Sequence, residues 1–154
     1  MGPQQIVPDS VKPMARRRLN PGALPGLLGY RLRLAQQAVF RDFAASVQGL
    51  SPGRVGLLIY IDANPGVTQS RLAEAAERDR STMVGVLDQL EARGLIERRR
   101  GEDRRTNGLW LTRAGDALLA RALRGIARHE RRIAARLSAA ERRQLLELLD
   151  KISR

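Results

Sequence analysis

The side chains that enzymes use most often as nucleophiles and metal ligands are scarce in this chain of 154 residues. It contains no cysteine and a single histidine, His129. Thiol redox chemistry, disulfides and cysteine-based zinc sites are therefore excluded, and a histidine-ligated metal or a nucleophilic triad would lack partners. We therefore expect that the protein is not an enzyme, and we predict no cofactor and no metal site.

Positive charge is the chemical property that the sequence supplies in quantity. Lysine and arginine number 28 against 16 acidic residues, which gives a formal net charge of +12. Such a balance suggests a polyanionic partner, either nucleic acid or an acidic membrane surface. Only Lys12 and Lys151 are lysines, so a GC-rich coding sequence is an alternative explanation for part of the arginine excess.

Two further compositional features narrow the class of protein. Aromatic residues make up 3% of the chain, too few for a protein that stacks successive unpaired bases on rings. The sequence has neither an apolar run of about 18 residues nor the apolar core of a signal peptide. We expect a cytoplasmic protein.

Residues 68–94 have the periodicity of two short helices joined by a tight turn. Thr68 is expected to cap the first helix, which runs to about residue 77, and either Asp79 or Ser81 is expected to cap the second. The second helix should end at Gly94, because glycine suits the left-handed conformation that follows a helix. The inward stripe predicted for the second helix consists of Val84, Leu87 and Leu90.

The opposite side of the second helix carries small and hydrogen-bonding side chains near its N-terminus. A helix that enters the major groove needs such a face, because small residues allow close approach and polar ones reach base edges and phosphates. Gly85 costs about 1 kcal/mol relative to alanine in a helix, which indicates either a close helix crossing or close approach to DNA. Packing against a neighbouring helix is the alternative for Met83. The candidate DNA-contacting residues of the two helices are Thr68, Gln69, Ser70, Arg80, Ser81, Thr82, Met83, Gly85, Val86 and Gln89.

A basic hairpin is predicted directly after these helices. Residues 95–100 and 109–111 can pair as two short strands around the polar segment 101–108. A charged hairpin is usually only a solvated surface, but next to a helix-turn-helix it favours a wing whose arginines enter the minor groove. The candidates in this hairpin are Arg100, Arg104 and Arg105 for DNA contact, with Asp103 orienting an arginine.

Amphipathic helices are predicted on both sides of this region, after a polar, proline-rich segment at 1–22 that we interpret as a flexible basic arm. Helical periodicity covers about 24–47, and Ser51 caps the next helix. Thr112 caps a long helix, and an S-x-x-E capping box at 138–141 starts the last one. The helix after Ser51 carries the apolar residues Val55, Leu58, Ile59 and Ile61. On the long helix after Thr112, apolar residues recur at spacings of three or four, among them Leu119, Leu123, Ile126 and Ile133.

Together these motifs resemble the MarR family of winged helix-turn-helix regulators, over about residues 24–152. The resemblance implies a mainly helical α+β fold, with a winged helix-turn-helix and two-stranded wing at 51–112. It also implies that helices at 23–50 and 113–154 hold a homodimer together. The matching runs are Thr68-Gln-Ser-Arg-Leu-Ala-Glu74, Asp79-Arg-Ser-Thr82, the segment 87–98, Asp103-Arg-Arg105 and Leu111-Thr-Arg-Ala-Gly115.

The same resemblance implies a function. The helix at 79–92 would read the major groove of double-stranded DNA and the wing would contact the minor groove. The expected function is that of a transcriptional regulator, a repressor bound as a dimer to a pseudo-palindromic operator. The family's usual glycine and aliphatic pair before the recognition helix is Glu77-Arg78 here. A sequence-independent architectural DNA-binding protein and an RNA-binding winged helix are the alternatives.

The resemblance also implies a small aromatic effector that binds between the dimerisation helices and the winged region. The run Leu27-Leu-Gly-Tyr-Arg-Leu-Arg33, together with Asp79-Arg-Ser-Thr82, is similar to regulators of aromatic-acid catabolism, some of which sense aryl-CoA thioesters. The phosphates of CoA suit guanidinium partners. Core packing is the alternative for each aromatic candidate, and a surface or interface position is the alternative for the histidine. The candidates are Tyr30, Leu34, Phe40, Arg41, Tyr60 and His129.

Overall fold

The computed structural model describes residues 19–100 and 107–153. The chain divides into two compact units, Met1–Leu34 and Ala35–Arg154. No helix in these ranges combines the length and the apolar composition that are needed to cross a membrane. After a 3₁₀ turn at Leu24–Gly26, the elements are α1 (Leu28–Ser46), α2 (Pro52–Ala63), β1 (Val67–Thr68), α3 (Gln69–Ala75), α4 (Arg80–Ala92), β2 (Ile96–Arg100), β3 (Asn107–Leu111), α5 (Arg113–Ile133) and α6 (Ala139–Ser153).

The helix starts predicted from capping residues are confirmed. The side-chain oxygens of Ser51, Thr68 and Thr112 accept hydrogen bonds from the backbone N–H three residues later, at 3.4, 3.4 and 3.0 Å. In the capping box, Glu141 Oε2 accepts from the backbone N–H of Ser138 at 2.7 Å, and Ser138 Oγ accepts from the N–H of Glu141 at 3.3 Å. These local bonds satisfy backbone donors that no helical carbonyl can reach, and so they fix where α2, α3, α5 and α6 begin.

The predicted hairpin is present and belongs to a three-stranded antiparallel sheet of order β1-β3-β2. In the hairpin, Ile96 lies opposite Leu111. The third strand, β1, was not predicted. It pairs with β3, so that Val67 lies opposite Leu109. A strand of two residues is too short to show the alternation of apolar and polar residues that predicts a strand. The pairing of β1 therefore leaves no signal in the sequence.

One apolar core joins α2, α3 and α4 to the sheet and to α5. Gly94 adopts the predicted left-handed conformation, with φ of +66°, and turns the chain from α4 towards β2. The largest fully buried side chains of the core are Val55, Leu57, Leu58, Ile61, Leu72, Met83, Leu87, Leu90, Ile96 and Leu109.

The apolar positions of the helices match the buried faces only in part. On α2, Ile59 is exposed and Leu57 is buried instead. On α4, Val84 is 41% exposed, and on α5 both Leu123 and Ile133 are exposed. Neighbouring side chains on a helix point about 100° apart. Hydrophobicity alone therefore cannot decide which of two adjacent apolar residues faces the core.

Two glycines of α5 allow its neighbours to approach closely. A Cβ at Gly125 would lie 2.5 Å from the carbonyl oxygen of Ser46, near the end of α1. A Cβ at Gly115 would collide with the carbonyl oxygen of Leu95, just before β2. Both the C-terminal half of α1 and the base of the hairpin therefore pack directly on the backbone of α5.

Candidate nucleic-acid interface

The side chain of Asp79 fixes the first turn of α4. Its Oδ1 accepts hydrogen bonds from the backbone N–H of Thr82 and from the hydroxyl of Ser81, both at 2.7 Å. Asp79, not Ser81, is therefore the N-cap. The hydrogen bonds from Thr82, followed by that from Ser81, hold the pKa of Asp79 well below its usual range. The carboxylate is therefore ionised at neutral pH and keeps the helix start capped.

The outward face of α4 is open. Arg80, Ser81 and Thr82 are exposed on its first turn, and Gly85 is exposed one turn further along. A Cβ at Gly85 would meet nothing within 4 Å, so no helix crossing among the described residues explains this glycine. Since glycine costs about 1 kcal/mol here relative to alanine, its presence at an open position favours close approach by an external partner.

Two residues assigned to this face from the sequence lie elsewhere. The DNA-contacting role predicted for Met83 is wrong and the packing alternative is confirmed, because its side chain is completely buried with Leu87 and Leu90 in the core. Val86 is half-buried and packs against the same core, which leaves only part of its side chain at the surface. In the inward stripe of α4, Leu87 and Leu90 are buried as predicted, and Met83 takes the place expected for Val84.

Gln89 is exposed near the end of α4, and its amide oxygen already accepts a hydrogen bond within the protein. Gln89 Oε1 accepts a hydrogen bond from Nη2 of Arg54, which lies in the first turn of α2. Arg54 could not be predicted from the sequence as part of this face, because a contact across 35 residues leaves no local pattern.

The turn between α3 and α4 has an unusual backbone conformation. Glu77 has φ of +49°, a left-handed conformation that costs a residue with a Cβ about 1–2 kcal/mol. The next residue, Arg78, extends its side chain across α2, so that a Cβ at Gly53 would lie only 2.6 Å from Arg78 Nη2. Arg78 packs over Gly53, whereas the resemblance leads us to expect an aliphatic side chain at the position of Arg78.

Two arginines at the base of the wing have internal partners. Arg98 Nη2 lies 2.7 Å from Asp88 Oδ1, and Arg98 also pairs with Glu91. Arg99 pairs with Glu97. Each of these two arginines has a carboxylate partner, which makes it less available to an external anion.

The remaining wing candidates lie at or beyond the end of β2. Arg100 is exposed, at the last position of the strand. The Arg99 guanidinium stacks 5.5 Å from the centre of the Trp110 ring, and this ring covers Gly66 and Gly108. The wing therefore has a packed base on β3. Three predicted residues, Asp103, Arg104 and Arg105, fall in 101–106, outside the described residues.

The candidates at the start of α3 share one cleft. Thr68, Gln69 and Ser70 line a cavity of about 240 Å³ together with Arg98 and Asn107 of the hairpin. Thr68 Oγ1 also accepts from the backbone N–H of Arg71 as the N-cap of α3. Its hydroxyl proton therefore remains available as a donor.

The effector candidates occupy different parts of the molecule. In the first unit, Tyr30 is half-buried with the Arg33 guanidinium 5.2 Å from its ring centre, and Leu34 is exposed. In the second unit, Phe40 and Arg41 are exposed on α1. Tyr60 is exposed on α2, and its hydroxyl donates to the carbonyl oxygen of Ala75 on α3 at 3.2 Å.

The surface or interface position considered for His129 is wrong, because the residue is only 3% exposed within the single chain. Its Nδ1 lies 2.6 Å from Asp42 Oδ1, and Arg132 Nε lies 2.9 Å from Asp42 Oδ2. The ring of Phe43 packs edge-on against the imidazole, with centroids 5.5 Å apart. The Arg132 guanidinium, followed by His129, holds the pKa of Asp42 well below its usual range. This cluster joins α1 to α5.

Comparisons with known proteins agree with this architecture. Residues 48–106 match the family model described as MarR family. A putative transcriptional regulatory protein for the hcr operon of Thauera aromatica is 43% identical over 137 residues, which cover 86% of this chain and 82% of that protein. The transcriptional repressor CouR bound to a 23-mer DNA duplex has 42% identity and a TM-score of 0.83, covering 90% of this chain and all of that one. CouR bound to p-coumaroyl-CoA has 40% identity and a TM-score of 0.79, covering 89% and 99%.

The fold and these similarities define a winged helix-turn-helix regulator. The chain belongs to the MarR family of transcriptional regulators. The predictions of fold class and family are confirmed, and so is the expectation that the protein is not an enzyme.

Proposed function

We propose that this protein is a repressor that binds a pseudo-palindromic operator in duplex DNA as a homodimer and is released by an aryl-CoA thioester. The open face of α4 is the observation that supports DNA binding. Arg80, Ser81 and Thr82 surround its N-terminus, and Gly85 leaves the backbone uncovered. A helix with such a face can approach base edges in the major groove, while Arg80 and the positive end of the helix attract phosphate.

The proposal of a dimer is supported by apolar surface that a single chain leaves uncovered. α6 buries none of its residues, although its large apolar side chains follow helical spacing. Exposed apolar stripes of this kind mark protein–protein contacts. Two copies related by a twofold axis would cover the stripe and set the distance between the two copies of α4. The exposed apolar residues of α6 are Leu145, Leu146, Leu148, Leu149 and Ile152.

The effector is proposed from the similarity to CouR and from the chemistry of one cleft. CouR is a repressor with one structure bound to DNA and another bound to p-coumaroyl-CoA. In this chain a cleft of about 490 Å³ lies between the end of α1 and α5, and Arg121 and Arg128 contribute to its walls. Guanidinium groups suit the phosphates of a CoA moiety. Because the cleft borders two of the proposed dimerisation helices, an occupant can act on the dimer geometry.

Release requires only that the effector bind one dimer arrangement better than the other. A pseudo-palindromic operator accepts one spacing between the two recognition helices, so a small rotation of one subunit against its partner weakens binding. The effector shifts the equilibrium by the difference between its affinities for the two arrangements.

The proposal is tested with a fluorescently labelled operator duplex, titrated with protein and then with p-coumaroyl-CoA, free p-coumarate or CoA alone. Trp110, the only tryptophan, gives a second signal from the base of the wing. We expect specific binding that p-coumaroyl-CoA reverses and that neither fragment reverses alone. Equal binding to scrambled duplex would favour an architectural protein, and tighter binding to RNA would favour the RNA-binding alternative. Binding that all three compounds leave unchanged would contradict the effector proposal.

A further inference from the structure

Two arginines outside the predicted DNA-contacting set occupy the same edge of the winged region, beside the first turn of α2. Arg54 belongs to that turn, and Arg78 reaches it from the turn that precedes α4. This edge adjoins the open face of α4, because Arg54 bonds to Gln89 of that helix.

The position of the Arg78 guanidinium depends on Gly53, which has no side chain. Its Nη2 would lie 2.6 Å from a Cβ at Gly53, so any other residue at that position would displace the guanidinium. The backbone N–H of Arg78 donates to the carbonyl oxygen of Ala73 at 2.9 Å, which anchors the start of the side chain. The charged group is thus held against the backbone of α2 and remains exposed to solvent.

Arg54 is held by a neutral partner. A guanidinium has five N–H donors and no acceptor, so the atom of Gln89 that faces it must be the carbonyl oxygen Oε1. The amide NH₂ of Gln89 then points away and can only donate. Reading adenine through a glutamine requires both an acceptor and a donor, and in this arrangement the acceptor is occupied.

The charge on this edge is not neutralised within the described ranges 19–100 and 107–153. Arg98 and Arg99 each pair with a carboxylate, whereas no ion pair of Arg54 or Arg78 occurs among those residues. Two guanidinium groups and one amide NH₂ therefore present donors only. Such a surface fits an anion with several acceptor oxygens, and the neighbouring recognition helix brings the phosphates of duplex DNA to it.

We infer that Arg54 and Arg78 contact the phosphate backbone beside the groove that α4 enters, and that Gln89 is a positioning residue that holds Arg54. This inference rests on the proposed function as a DNA-binding regulator. It changes the role predicted for Gln89, from contact with a base to orientation of a phosphate-binding side chain.

The first test measures affinity for two duplexes, one carrying the sequence that the wild-type protein enriches from a random pool and one with that sequence scrambled. Arg54→Ala and Arg78→Leu should each weaken binding to both duplexes by a similar factor of about three to ten, and each should reduce the slope of log K against log salt by about 1. Arg124→Ala, which removes the same charge from the exposed side of α5, is the control and should leave the slope unchanged. Circular dichroism checks folding, and Arg78→Gln repeats the measurement if the leucine variant misfolds. An unchanged salt slope in the Arg54 and Arg78 variants overturns the inference.

The second test separates positioning from base reading by a double-mutant cycle. If Gln89 acts through Arg54, then Gln89→Ala weakens binding to both duplexes, and adding it to Arg54→Ala causes no further loss. If Gln89 reads a base, the two losses multiply and the sequence enriched by the Gln89→Ala variant changes at one position. This second result would overturn the positioning role.

Failure of the inference can be told apart from failure of the proposed function. A wild-type protein that enriches no sequence contradicts the DNA-binding regulator itself. A wild-type protein that enriches a sequence, together with Arg54 and Arg78 variants that bind like it, contradicts only the phosphate contacts inferred at this edge.

Discussion

At the scale of single residues, the recognition surface depends as much on small side chains as on charged ones. Gly53 makes room for the Arg78 guanidinium, and Gly85 opens the middle of the α4 face. Gly85 could be predicted from the sequence, because a glycine inside a helix is conspicuous. The role of Arg78 could not, because only the fold shows that this residue lies over Gly53.

Gly85→Ala should raise the stability of the protein and lower its affinity for DNA. The added methyl group meets no other atom in the chain, so the variant should be more stable by about 1 kcal/mol, the difference in helix propensity. We expect affinity for the operator to fall, since the methyl group would lie between the helix and the groove. Urea unfolding and operator titration measure the two quantities.

Gly56→Ala is the matched control for this substitution. Gly56 lies in α2 and also has nothing within 4 Å of the position of a Cβ. The control should gain similar stability and leave operator affinity unchanged. If Gly85→Ala bound the operator as tightly as the wild type, α4 would not approach the DNA at this position.

At the scale of elements, helix starts could be predicted, but the set of apolar residues that each helix buries could be predicted only in part. The caps at Ser51, Thr68 and Thr112 are local hydrogen bonds between residues three apart, so their sequence pattern is sufficient. The burial of Met83 in place of Val84 depends on how α4 packs against other elements. The links from Arg54 to Gln89 and from α1 to α5 likewise join residues far apart in the chain.

The link between α1 and α5 should make stability depend on pH through Asp42. Its pKa is lower in the folded protein than in the unfolded chain, mainly because of Arg132. The stabilisation is therefore complete above the unfolded value, near 3.9, and is lost as the pH falls towards the folded value. Asp42→Asn should lower the unfolding midpoint at neutral pH, with a difference from wild type that shrinks below about pH 4.

The control for this prediction is Asp62→Asn. Asp62 is an exposed residue of α2 and has no ion pair within the described ranges, so its substitution should have little effect at either pH. If Asp42→Asn differed from wild type by the same amount at pH 7 and pH 3, Asp42 would not stabilise the fold through its charge.

At the scale of the whole molecule, the proposed binding to a pseudo-palindromic operator requires two copies of the chain. The stripe on α6 includes Leu145 and Leu149, which point in similar directions because they are four residues apart. Leu149→Glu would place a charge in the proposed contact and should convert the dimer to a monomer, as measured by light scattering. Gln144→Glu adds the same charge at an exposed position on the opposite side of α6 and should have a much smaller effect. A Leu149→Glu variant that remained dimeric would place the subunit contact elsewhere.

Selection of operator sequences by the purified protein from a random pool of duplex DNA tests most directly whether the protein reads DNA as a dimer through α4. Two copies of α4 related by a twofold axis should enrich two inverted copies of one short sequence, with centres about 10 base pairs apart. Enrichment of no sequence, or of a single copy without its inverted partner, would contradict a dimer that reads DNA through α4.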